Sequence, residues 1–150
     1  MVRTTLISLF KRDLSKLKAE IAAYQNEQQL WIVEGAITNS GGNLCLHLLG
    51  NINAFIGSEL GGTGYVRQRN DEFSLKNIPR ADLLLQIQET IEVVDTTLGN
   101  MEDGDLAKEY PLLVFKEKMT TGYFLIHLAT HLSYHLGQVN YHRRLLDRQP

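Results

Sequence analysis

The stretch 121–146, TGYFLIHLATHLSYHLGQVNYHRRLL, carries the pattern that decides the fold. Apolar side chains return every three or four residues across it, the period of an α-helix rather than a strand. At 100° per residue, with Phe124 set to zero, Leu128 and Leu146 fall at about 40° and Val139 at about 60°. His131 falls at about 340° and His135 at about 20°, the middle of that apolar face. Both imidazoles are therefore expected to point into a core, one turn apart. The helix is expected to start at Thr120 or Thr121 and to run to Leu146, roughly 40 Å.

Three further segments share this period. Leu6, Phe10, Leu14, Leu17, Ile21 and Tyr24 form one stripe, with Lys11, Arg12, Lys16, Lys18 and Glu20 between them. They predict an amphipathic helix from about residue 4 to about residue 30. A second helix is expected after Asn43 as N-cap, with Leu44, Leu48, Ile52 and Phe55 on its apolar face and Gly61-Gly62 as its stop. A third begins near Pro79, carries Leu84, Ile87, Ile91, Val94 and Leu98, and closes at Gly99-Asn100. No segment alternates as a strand would. The expected fold is all-α, a four-helix bundle with long connections at 61–78 and 99–118. The 61–75 segment holds Tyr65, Arg67, Arg69, Asp71, Glu72 and Phe73, too many specific side chains for a flexible linker.

The 150 residues suit a single domain over 1–150. At 17.0 kDa the folded surface should be roughly 7,700 Å² against roughly 24,700 Å² extended, enough burial for a self-supporting core. Fifteen Lys and Arg against seventeen Asp and Glu give a net charge of −2, and no basic stripe exists to meet phosphates. Nucleic acid is therefore not an expected partner. The single cysteine, Cys45, forms no intrachain disulfide, which suits a reducing cytoplasm. The start lacks an apolar signal core and no apolar run reaches membrane length, so a cytoplasmic protein with no membrane partner is expected.

His131 and His135 stand at the i, i+4 spacing with which a helix chelates one ion. The residues between them are Leu132, Ser133 and Tyr134, so the glutamate base of the zinc-protease helix is missing and a protease is rejected. His47, on the second helix, shares an inward edge with Asn51, Ala54 and Ser58 and is the candidate third ligand. Three neutral imidazoles with an open position suit zinc, nickel or another divalent ion. The competing reading is three hydrogen-bonded core histidines, at the cost of burying polar rings that need partners. His127 lies on the edge of the face. His142 points inward but stands about 10 Å along the axis from His135, too far to share an ion. Cys45 reads as a packing residue. Asp95 flanks the third helix's apolar seam, either orienting an imidazole or meeting solvent. Arg143, Arg144 and Arg148 form a basic end that complements the helix dipole.

With these residues in view, the chain resembles the DinB-like family of metal-dependent bundles, in an uncharacterised branch. HLSYHLGQ at 131–138 and NLCLHLLGN at 43–51 carry the resemblance, and GGTGYVRQRNDEFS at 61–74 supports it. It spans nearly the whole chain. The resemblance implies an up-down-down-up four-helix bundle with a divalent metal on His47, His131 and His135. Members often have an arginine where Leu136 stands, so any substrate contact through that arginine is not implied here.

Related proteins include isomerases and S-transferases that depend on low-molecular-weight thiols. Two classes of function follow. The first is a metal-dependent transferase or hydrolase acting on a small molecule, with a thiol cofactor in the transferase case and Asn51, Tyr134 and Gln138 as nearby polar groups. The second is a non-catalytic, stress-related metal-binding protein, favoured by the lack of an evident carboxylate beside the histidines. A solvent-reachable cleft beside the ion would distinguish the first. A homodimer is expected from the resemblance and from the two long connections.

Overall fold

The computed structural model describes residues 1–148, so the last two residues of the expected 1–150 domain lie outside the described residues. Among those described there are five α-helices and no strand, only two isolated bridges. The accessible surface is 8268 Å², close to the expectation from mass.

Helix α1 spans Val2–Ala23 and buries Leu6, Phe10, Leu14, Leu17 and Ile21, the stripe read from its periodicity. It ends earlier than expected because Tyr24 turns extended. Asn26 then accepts from the Gln28 amide and starts a separate 3₁₀ turn, Glu27–Trp31. Helix α2 spans Gly41–Ile52 and is buried along its whole length. Its cap is Ser40, not Asn43: Ser40 Oγ accepts from the Asn43 amide at 3.1 Å. Asn43 Nδ2 instead donates to the Glu72 and Leu75 carbonyls, at 2.9 Å each, and pins the following connection to α2.

Beyond Ile52 the helix widens into a π turn, Asn53–Ser58, and breaks at Gly62, whose φ of 63° suits a residue without a Cβ. Helix α3, Arg69–Ser74, forms inside the segment expected to be a structured connection and packs on α2. Helix α4 spans Arg80–Asn100 with Pro79 just outside it, and α5 spans Thr121–Leu146 with Thr120 capping the Tyr123 amide at 3.2 Å. The four longer helices, α1, α2, α4 and α5, surround one core. α1 lies along α4 and α5, and α2 lies against α5 and α4. No helix among the described residues is long and apolar enough to cross a membrane.

Candidate metal centre

The facing surfaces of α2 and α5 bring His47, His131 and His135 together, each offering one ring nitrogen within 4.8 Å of the others. His47 is buried; His131 and His135 are half-buried. The three ring centroids are separated by 5.1, 5.1 and 4.5 Å. His47 Nε2 and His131 Nε2 are 3.2 Å apart. Two nitrogens bound to one tetrahedral zinc would stand about 3.3 Å apart, so the spacing fits a shared ion.

Hydrogen bonding sorts the ring nitrogens in the same sense. Glu72, from α3, accepts from His47 Nδ1–H at 3.0 Å. Gln138 Oε1, one turn beyond His135, accepts from His135 Nδ1–H at 2.6 Å. An acceptor on Nδ1 fixes the tautomer whose Nε2 carries the free lone pair, as metal-binding histidines require. His131 Nδ1 is buried without a partner among the described residues. Burial, reinforced by His135, His47 and His127, lowers the His131 pKa to about 4. Burial also lowers that of His135. Both rings therefore stand neutral at pH 7, the state that ligates.

Glu72 overturns the expectation that no carboxylate stands beside the histidines. It is 5% exposed and held from both sides, by His47 and by Arg67 through Nε at 2.8 Å and Nη2 at 2.9 Å. Burial alone would raise its pKa. The hydrogen bonds from His47 and Arg67 prevail and hold it below the usual carboxylate range. Gly50 makes the arrangement possible, since a Cβ there would collide with the Glu72 carboxylate. A glycine inside a buried helix, three residues after His47, is the one sequence signal of that close approach. The partner itself, 25 residues away, has no such signal.

The other singled-out residues separate cleanly. Asp95 is exposed and pairs with Lys11 at 3.1 Å, so it orients no imidazole. Cys45 is fully buried and its thiol is pushed up to about 12 by that burial. Tyr134 is 66% exposed, its ring beside His135 but turned to solvent. Leu136 packs against the core. The basic end is also more specific than a dipole complement: Arg143 pairs with Glu20 at 2.6 Å and Arg144 lies over Tyr141.

His142 points inward as expected, but it belongs to a different site. Its Nε2 donates to the Ile32 carbonyl at 2.8 Å, leaving Nδ1 to accept from the Tyr24 hydroxyl at 2.7 Å. An open cleft of about 220 Å³ adjoins two of the three, His47 and His131, and is lined also by Asn51, Arg67, Phe124 and His127.

The sequence profile of a family described as "Protein of unknown function (DUF1572)" matches residues 4–149, and the chain belongs to that family. No curated protein matches it.

Proposed function

We propose that this member of the DUF1572 family is a divalent-metal-dependent enzyme of the DinB-like kind, an up-down-down-up four-helix bundle with His47, His131 and His135 as ligands. The observation that carries this reading is the lone-pair arrangement: Glu72 and Gln138 occupy Nδ1 of two imidazoles and leave Nε2 of both free beside His131. Zinc or nickel suits three neutral imidazoles. When bound, the ion would supply a Lewis-acid position that lowers the pKa of a water or of a small thiol.

The chain's own residues do the rest. Glu72 holds the His47 ring in orientation, and Arg67 holds Glu72 ionised. Asn51 lines the cleft where a substrate would enter. The three-protein-ligand count and the adjoining cleft support a catalyst over a closed structural site, whose fourth position a protein side chain would fill. They favour the transferase or hydrolase over the non-catalytic metal protein. We also propose a homodimer; the exposed Tyr123, Tyr134, Tyr141 and Leu145 along α5 supply apolar area for it.

The test is elemental analysis of protein purified without a histidine tag, followed by cobalt loading and titration with cysteine as a small thiol. One ion per chain and a saturable thiolate-to-cobalt band are expected. A chain that takes up no stoichiometric ion removes the proposal. Full cobalt occupancy with no response to thiol leaves the hydrolase or the non-catalytic protein. Light scattering at twice the 17.0 kDa chain mass checks the dimer.

A further inference from the structure

We infer that the cleft beside the three histidines selects a small organic anion with an apolar body, held by Arg69 at one end and by aromatic walls along its length. This names the substrate class of the proposed metal site and rests on that reading for the catalytic use of the cleft, though not for the binding itself.

Charge points to the sign of the ligand. Among the described residues the lining of the cleft contains Arg67, Arg69, His47, His127 and His131 and not one carboxylate. Arg67 is already balanced by Glu72, which stands behind His47. Arg69 is different: it lies over the Phe73 ring at 5.8 Å, and no carboxylate pairs with it among the described residues. The cleft thus carries one uncompensated positive charge before any ion binds, and a dication would add two more. Facing walls of low polarity concentrate that field on whatever enters.

Shape and polarity point to the rest. Phe55, Val114, Phe115 and Phe124 supply apolar wall. Phe115 is 43% exposed and stands edge-on to Phe124 and His127, at 6.0 and 4.9 Å between centroids, an aromatic left uncovered at the mouth. Asn51 is 8% exposed and lines the same cleft, and its Oδ1 is buried with no hydrogen-bond partner. A buried amide oxygen left unpaired is unfavourable, and a donor on the incoming molecule would relieve it. At about 220 Å³ the cleft is smaller than the usual 300–1,000 Å³ of drug-sized sites, which limits the ligand to about one ring.

Calorimetric titration of the full chain tests this with three probes: benzoate, acetate and benzyl alcohol. Each is run on chelated protein and on zinc-loaded protein, with zinc affinity measured separately. Benzoate is expected to bind at least tenfold more tightly than either of the others, since acetate lacks the ring and benzyl alcohol the charge. Arg69→Gln should weaken benzoate about three- to fivefold, the range of a solvent-exposed ion pair, and leave zinc affinity within twofold. Phe115→Ala should lower the preference for benzoate over acetate. Zinc-loaded protein that takes benzyl alcohol as tightly as benzoate, or an Arg69→Gln chain with unchanged benzoate affinity, overturns the inference while leaving the three ligands standing. A chain that refuses zinc but still prefers benzoate through Arg69 removes the metal and supports the inference.

Discussion

His131 and His142 both project from α5 into the molecule, yet they sit in opposite chemical situations. His142 is 2% exposed and has both nitrogens paired, one with the Tyr24 hydroxyl and one with the Ile32 carbonyl. His131 faces another imidazole across 3.2 Å and has a buried Nδ1 with no partner among the described residues. An inward histidine is therefore a ligand candidate only when one ring nitrogen is left over after hydrogen bonding. Direction on a helix does not decide it.

The largest expected effect separates the two positions directly. His131→Ala or His135→Ala should abolish stoichiometric metal, a loss of at least about 100-fold in affinity, because two imidazoles remain where the ion needs three. His142→Ala should keep the metal and instead lower folding stability by about 2–3 kcal/mol, from the two broken buried hydrogen bonds and the space left behind. Metal uptake that follows His142 rather than His131, read by mass spectrometry of native protein, would reverse the comparison.

The next effect tests the carboxylate behind the ligand. Glu72→Ala should weaken zinc about 10- to 100-fold, the range for a lost partner of a metal-binding histidine, with Glu72→Gln milder because it still accepts from Nδ1–H. Gly50→Ala should mimic it by pushing Glu72 aside. Nitrogen-15 NMR of the His47 ring reports the tautomer independently, and an unchanged tautomer in Glu72→Ala would refute the assigned role.

A smaller effect depends on pH. Burial holds His131, His135 and His142 below the ordinary 6.5, to about 4 for His131. A depressed histidine pKa means that protons bind the unfolded chain more readily, so stability is complete above about pH 6.5 and drains away as pH falls toward 4. In chelated protein, urea unfolding should lose about 1–2 kcal/mol between pH 7.5 and pH 5, once solvent screening of half-exposed rings is allowed for. A level profile would mean that the rings are hydrated.

Least of all, Tyr24→Phe should cost about 1 kcal/mol at neutral pH and nothing in metal affinity, since it removes one hydrogen bond from His142 alone. Any change in zinc binding would show the two histidine sites to be coupled.

Much of this was legible in residue order. The α1 stripe, the α5 face and the pair at 131 and 135 follow from a 3.6-residue period, which is a local property of the chain. The stop at Gly61-Gly62 and the structured 61–75 segment were also readable, because glycine and dense specific side chains mark where a backbone turns and docks. The α2 cap is Ser40, three residues before the expected Asn43, since both are good caps and only the packing of Asn43 on the Leu75 carbonyl separates them.

What residue order determined by itself is the set of faces on α1, α2 and α5, and that three histidines lie on or beside those faces; on α4 the expected seam is offset, since Leu83 and Thr90 are buried while Leu84 and Ile91 are only partly so. What only the tertiary structure decided is which of those histidines are left unsatisfied. Glu72 reaches His47 from 25 residues away, and Tyr24 and Ile32 reach His142 from 118 and 110 residues away. A helical period fixes direction around one axis and carries no information about what faces it across the core. The partner of a buried nitrogen is set by how separate helices dock.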